Sequence, residues 1–99
     1  MKGRALPYME KITGRNAGEI KLYALSTCGW CRLTRQLLAE LGVAYEFEYV
    51  DLLTGDERAK ALKALAALNP SSSFPTMVIR GNKVIIGYKE AEIREVLKA

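Results

Sequence analysis

The spacing of apolar and polar positions predicts a strand, a helix and a second strand in the first half of the chain. Residues 20–25 alternate and then become continuously apolar, as in a strand that is buried on at least one face. Apolar residues then recur at helical spacing as far as a glycine at position 42 that can end the helix: Leu33, Leu37, Leu38 and Leu41. Residues 43–50 alternate again and contain aromatic and β-branched side chains. A helix between two strands forms a βαβ unit, so we expect these strands to be parallel.

The second half of the chain predicts a helix, a hairpin and a terminal helix. Thr54 and Glu57 have the spacing of a capping box, and the helix that follows should end at Asn69, because the next residue is proline. Residues 76–80 and 83–86 are apolar segments separated by Gly81-Asn82, a two-residue turn signal. Apolar spacing over residues 91–97 indicates the last helix. The order β-α-β-α-β-β-α predicts an α/β fold with a four-stranded mixed sheet flanked by helices.

The length fits one domain with a basic segment in front of it. The chain has 99 residues and a formal net charge of +4, and residues 1–18 hold four cations against Glu10 alone. We expect residues 1–18 to be a loosely ordered basic extension and residues 19–99 to form the domain. The extension lacks the aromatic interleaving and the base-reading motifs of a nucleic-acid-binding segment, so we do not expect a nucleic-acid partner. Since neither a membrane-spanning run nor a signal-peptide core is visible, we expect a cytoplasmic protein without a membrane partner.

The two cysteines of the chain stand as Cys28-Gly29-Trp30-Cys31 between the first predicted strand and helix. In a reducing compartment such a pair is rarely a structural disulfide. Free N–H groups and the helix dipole at the start of a helix favour a thiolate, so we expect a lowered pKa for Cys28. Cys31, one turn further along, should be more shielded. The pattern therefore predicts a thiol–disulfide exchange in which Cys28 attacks a substrate disulfide and Cys31 then displaces the substrate.

A Cys-x-x-Cys pair is also half of a zinc site, which is the main alternative. Structural zinc needs four ligands, usually Cys or His, and the chain has two cysteines and no histidine. A metal site would therefore require a dimer that shares a Cys-only zinc site or an iron–sulfur cluster. Because the motif lies between a strand and a helix of a βαβ unit, we favour the redox interpretation and expect a monomer without a bound metal.

The chain resembles glutaredoxins and glutaredoxin-like members of the thioredoxin fold over about residues 20–98. The resemblance rests on Tyr23, on residues 26–31, on Ser73-Phe74-Pro75-Thr76 and on Gly87-Tyr88. It implies a thioredoxin-like fold, a cis peptide bond before Pro75 and a substrate groove beside the cysteines. It assigns substrate contacts to eight residues: Thr27, Gly29, Trp30, Phe74, Pro75, Thr76, Gly87 and Tyr88. Judged from the residues alone, a trans proline would be the ordinary state, and Phe74 and Tyr88 would fit a core equally well.

Departures from the family pattern concern glutathione. Leu25 stands where glutaredoxins usually have a lysine, and residues 87–90 replace the Gly-Gly-x-Asp-Asp-like segment that holds glutathione in that family. We therefore expect no tightly bound cofactor and favour glutathione-independent reduction of protein disulfides over a glutathione-dependent activity. The expected partners are disulfide-containing proteins and a reductase or low-molecular-weight thiol that restores the dithiol.

Overall fold

The computed structural model describes residues 9–98, which form one mixed sheet with helices on both faces. The strands are β1 (Glu10–Ile12), β2 (Ile20–Ala24), β3 (Tyr45–Tyr49), β4 (Thr76–Ile79) and β5 (Lys83–Ile86). The helices are α1 (Gly29–Leu41), α2 (Gly55–Leu68) and α3 (Glu90–Leu97), and a short 3-10 helix, Val50–Leu52, follows β3. The strand order is β1-β3-β2-β4-β5. Strand β2 runs parallel to β3 and antiparallel to β4, and β4 is antiparallel to β5, so the predicted βαβ unit and hairpin are both confirmed.

The sheet has one strand more than the sequence predicts, because β1 pairs antiparallel with the outer edge of β3. Beyond β1, the Arg15 N–H donates to the Gly42 carbonyl at 2.7 Å. Gly14 passes so close to this point that a Cβ there would lie 2.6 Å from the same carbonyl oxygen. Residues 9–18 therefore dock on the domain. The remainder of the predicted extension, residues 1–8, lies outside the described residues.

Alternate residues of the central strands bury on opposite faces of the sheet, as the period of two requires. On one face, α1 and α3 cover the larger core, which includes fully buried residues such as Leu22, Leu38, Met77, Ile79 and Ile93. On the other face, α2 packs on a smaller cluster: Tyr23, Val50, Ala61 and Leu65. The helix that begins at the cysteine motif is thus fixed against the sheet along its apolar side.

Two local predictions are wrong. Thr54 precedes α2 but makes no side-chain capping bond, and the helix begins at Gly55 with a positive φ of 57°. In the β4–β5 hairpin, the Asn82 N–H donates to the Ile79 carbonyl, so the central turn residues are Arg80 and Gly81, both at positive φ, rather than Gly81 and Asn82. Neither shift changes the strand pairing. Within residues 9–98, the helices are too short and too polar to cross a bilayer.

Candidate active site

The turn between β2 and α1 places Cys28 at the N-cap of the helix. The Leu25 carbonyl accepts the Cys28 N–H at 3.3 Å, and Cys28 has extended backbone angles, φ −94° and ψ 120°. Its sulfur accepts the Cys31 N–H at 3.2 Å, as the side-chain oxygen of a capping serine or aspartate would. The sulfur therefore lies at the positive end of the helix dipole, where negative charge is favoured. The first turn of α1 contains no acidic residue that would oppose it.

Cys31 occupies a different environment one turn into the helix. Its side chain is 1% exposed, whereas Cys28 is half-buried, and both are free thiols. Burial raises the pKa of Cys31 to about 12, helped by the hydrogen bond with Cys28 and by the charges of Cys28 and Asp51, while the Leu25 N–H, 3.5 Å from the sulfur, acts in the opposite direction. The fold therefore makes the two sulfurs unequal, one reachable from solvent and one protected.

A groove beside the cysteine motif brings together five of the eight predicted substrate residues. A cavity of about 220 Å³ is lined by Trp30, Phe74, Pro75, Gly87 and Tyr88. The Phe74–Pro75 peptide bond is cis, as the resemblance implies. Trp30 is 61% exposed, and its ring stacks on that of Tyr88 with centroids 6.0 Å apart and planes at 24°. The two aromatic rings give the groove an apolar wall, and one of them, Trp30, lies within the cysteine motif.

The other three predicted residues lie elsewhere. Thr27 is exposed immediately before Cys28. Gly29 does not line the groove but a second cavity of about 440 Å³ on the outer side of α1, together with Trp30, Arg32, Leu33 and Gln36. A Cβ on Gly29 would meet no atom within 4 Å, so space does not require a glycine there. Thr76 is fully buried, and its hydroxyl donates to the Ser73 carbonyl at 2.8 Å, so its side chain does not face the groove.

Two residues that organise the site were not singled out from the sequence. Asp51 accepts hydrogen bonds from the backbone N–H and the hydroxyl of Ser26, at 2.9 and 2.5 Å. Asn69, 2% exposed, connects the loop before Pro75 with β4, since its amide bonds Ser71 and Ser73 of the loop and Thr76 at the start of the strand. Asp51 could have been found from its position directly after the predicted strand 43–50, because the carboxyl ends of parallel strands meet at one edge of the sheet. For Asn69 the sequence carries only a helix-stop signal.

Acidic and sulfur ligands do not converge near the cysteine pair. Within the part of the chain that the structure describes, there is no group of three or more His, Cys, Asp or Glu side chains that could hold a metal ion. The expectation of a protein without a resident metal stays a prediction.

Comparison with known proteins decides the family. The family model described as Glutaredoxin matches residues 20–85, which is more than half of the chain. The chain belongs to the glutaredoxin family. The matched residues include both cysteines and the cis-proline, so the resemblance inferred from the sequence is confirmed. A glutaredoxin fold with a close pair of cysteines fits a thiol–disulfide oxidoreductase.

Similar proteins support the glutaredoxin assignment over most of the chain. Methanoredoxin from Methanosarcina acetivorans is 46% identical with a TM-score of 0.83, and the match covers 87% of this chain and 90% of that one. The glutaredoxin from Methanosarcina mazei is 43% identical with a TM-score of 0.84, covering 93% and 89%. An uncharacterized glutaredoxin-like 8.6 kDa protein in the rubredoxin operon of Clostridium pasteurianum is 30% identical over 79 residues, covering 80% of this chain and 97% of that protein. These matches confirm the thioredoxin-like α/β fold.

Proposed function

We propose that this protein reduces disulfides of cytoplasmic protein substrates by cycling Cys28 and Cys31 between a dithiol and a disulfide, and that it does so without depending on glutathione. The observation that carries the proposal is the inequality of the two sulfurs. Cys28 caps a helix two residues before Trp30, which lines the aromatic groove, and Cys31 is a buried thiol one turn further along.

The first step uses the reachable sulfur. The Cys28 thiolate attacks one sulfur of the substrate disulfide, a bond forms between Cys28 and that sulfur, and the substrate S–S bond breaks. The departing substrate sulfur leaves as a thiolate and takes a proton from solvent. The helix N-terminus stabilises the attacking thiolate before the reaction. The groove beside Pro75 would hold the substrate backbone in an extended conformation while this occurs.

The second step uses the buried sulfur. Cys31 loses its proton and attacks the Cys28 sulfur, which breaks the mixed disulfide and releases the second substrate thiol. Two electrons have then passed from the protein to the substrate, and the protein holds a Cys28–Cys31 disulfide. A reducing thiol or dithiol, either a small molecule or a reductase, supplies two electrons to restore the starting state.

The causes of the raised Cys31 pKa give these steps an order. After burial, the causes that raise it most are the hydrogen bond with Cys28 and then the charge of Cys28. Once Cys28 is bonded to a substrate sulfur, it carries no negative charge, and its hydrogen bond with the Cys31 thiol is weakened or lost. The pKa of Cys31 should therefore fall when the mixed disulfide forms, which is the point at which its thiolate is needed.

The lining of the groove supports a polypeptide substrate. Among the described residues, the cavity beside Cys28 is lined by aromatic rings, glycine and proline, with no lysine or arginine. Leu25, in the turn before the cysteines, supplies no cation there either. Glutathione presents two carboxylates, which proteins commonly recognise with Arg or Lys. Aromatic faces instead suit the apolar side chains and backbone of a protein segment.

The direct test is reduction of insulin disulfides with dithiothreitol as the outside reductant. Wild-type protein should accelerate the reaction, Cys28→Ser should abolish the acceleration, and Cys31→Ser should accumulate a mixed disulfide with insulin that mass spectrometry detects. Fluorescence of Trp30, the single tryptophan, should change on oxidation. Full activity in Cys28→Ser would refute the redox cycle. A reaction that the protein accelerates with glutathione plus glutathione reductase but not with dithiothreitol alone would refute glutathione independence while leaving the cycle intact.

A further inference from the structure

Leu25 is the residue through which the active-site turn contacts both cysteines. Its carbonyl accepts the Cys28 N–H at 3.3 Å, and its N–H points to the Cys31 sulfur at 3.5 Å. Any displacement of this turn would move Leu25 relative to both sulfurs. The reactivity of the pair therefore depends on what holds the turn in place.

The turn is held by Asp51, which lies in the short 3-10 helix Val50–Leu52 that follows β3. The carboxylate receives the Ser26 backbone N–H at 2.9 Å and the Ser26 hydroxyl at 2.5 Å, although the two residues are 25 positions apart. Among the hydrogen bonds of residues 9–98, Asp51 is the charged side chain that bonds this turn. The same two bonds hold the pKa of Asp51 below its ordinary value, so the carboxylate is ionised at neutral pH and the bonds are charge-assisted.

We propose that Asp51 is a positioning residue for the cysteine pair: it anchors the turn through Ser26, and so fixes Leu25 where its N–H meets the sulfur of Cys31. The inference rests on the proposed dithiol–disulfide cycle. It gives a role in that cycle to Asp51, which makes no hydrogen bond with either sulfur. Its consequence falls on the second step, in which Cys31 must approach and attack Cys28.

The negative charge of Asp51 has a separate effect on the rate of the second step, opposite to the effect of the anchor. The groups that face the Cys31 sulfur are Cys28, the Leu25 N–H and the Asp51 carboxylate, and this carboxylate is among the causes that raise the Cys31 pKa. Arg58, on α2, faces Asp51 and partly offsets its charge. Loss of the charge alone would make Cys31 easier to deprotonate and would speed the second step. Loss of the anchor would slow it.

Stopped-flow reaction with one equivalent of the aromatic disulfide DTNB separates the two steps. The first thionitrobenzoate is released when Cys28 attacks, at a rate that depends on DTNB concentration. The second is released when Cys31 attacks Cys28, at a rate that does not. Because Ser26→Ala removes the hydroxyl bond and keeps the carboxylate charge, it tests the anchor alone. Asp56→Asn is the matched control: it also removes one acid, but Asp56 is exposed on the first turn of α2 and makes no hydrogen bond with the turn in the described residues.

We expect the second phase to slow about tenfold in Asp51→Asn, as loss of about 1.4 kcal/mol of positioning would give, and about threefold in Ser26→Ala, which keeps the backbone bond. The double variant should be no slower than Asp51→Asn, Ser26→Thr should restore the rate, and Asp56→Asn should match the wild type. The first phase should stay within about twofold throughout, since it depends on the helix start. If Asp51 had a purely structural role, its substitution would lower the midpoint of unfolding but would not slow the second phase more than the first.

Two results would overturn the inference: a second phase in Asp51→Asn that is as fast as in Asp56→Asn or faster, or a Ser26→Ala variant that matches the wild type. A wild-type protein that shows no second phase at all would instead refute the dithiol–disulfide cycle. The experiment therefore distinguishes failure of the anchor from failure of the proposed function.

Discussion

Cys31 should be almost inert toward alkylating reagents in the folded protein. In Cys28→Ser it is the single remaining thiol, and a pKa of about 12 leaves a thiolate fraction of about 10⁻⁴ at pH 8. A free cysteine with a pKa of about 8.5 has a thiolate fraction of roughly one quarter at that pH. The thiolate fraction of Cys31 is therefore smaller than that of a free cysteine by about three orders of magnitude. The variant removes the contribution of Cys28 but keeps burial, the largest cause, so we expect labelling at least about 100-fold slower than in the unfolded chain.

The assay is iodoacetamide labelling at pH 8, followed over time by intact-protein mass spectrometry. Cys28→Ser unfolded in urea supplies the free-cysteine rate, and Cys31→Ser, which keeps the half-buried Cys28, is the matched control and should label readily. If folded Cys28→Ser labels within about tenfold of its unfolded form, the protected environment assigned to Cys31 is wrong.

The same raised pKa makes stability depend on alkaline pH. The folded protein favours the neutral thiol of Cys31, so its contribution is complete below the ordinary pKa of 9.0 and is lost as pH rises through about 12. Between these values the wild type should lose about 1.4 kcal/mol per pH unit relative to Cys31→Ala, as measured by urea unfolding at several pH values. Parallel pH dependences in the two proteins would contradict this.

Three further substitutions probe the scaffold by urea unfolding. Gly14→Ala would place a Cβ 2.6 Å from a backbone carbonyl oxygen and should destabilise by about 1–3 kcal/mol, whereas Gly29→Ala, which meets open space, should not; equal effects would refute the close approach. Asn69→Ala should cost about 1–3 kcal/mol because buried partners lose their hydrogen bonds, and an unchanged midpoint would count against that network. Glu48→Gln should raise stability by about 1 kcal/mol at pH 7 and change little near pH 4. Burial raises the Glu48 pKa and one of its oxygens has no hydrogen-bond partner, so the stability that the protonated acid contributes is lost as pH rises; a destabilised variant at pH 7 would overturn this.

The sequence predicts well those elements whose buried residues recur at regular spacing within one short segment. Strands β2 and β3 and helix α1 follow from apolar periodicity, and the position of Cys28 at a helix start follows from where that periodicity changes. The cis bond at Pro75 did not follow from the residues, since trans is the ordinary state; it came from the family resemblance.

The features that were missed depend on contacts between distant segments. Strand β1 has one apolar residue, Ile12, and forms because β3 offers an unpaired edge, which local pattern does not reveal. The hairpin turn is centred one residue earlier than Gly81-Asn82 suggests, and its first central residue, Arg80, donates its N–H to the distant Glu19 carbonyl at 2.7 Å. Thr76 stays a predicted substrate residue, but its hydroxyl is buried and accepts a hydrogen bond from the Asn69 amide, which the local sequence does not indicate. Each outcome was decided by tertiary hydrogen bonds.

The spacing of the two cysteines accounts for most of the chemistry of the site. An N-cap side chain can accept a hydrogen bond from the backbone N–H two or three residues into the helix. With two residues between the cysteines, Cys31 is the residue whose N–H donates to the capping sulfur of Cys28, while its own side chain lies one turn inside and becomes buried. One intervening residue more or fewer would rotate the second side chain by about 100° and separate these two roles. Because the inequality of the sulfurs comes from the start of the helix, changes in the groove at Trp30 or Tyr88 should alter substrate choice while leaving the order of the two steps intact.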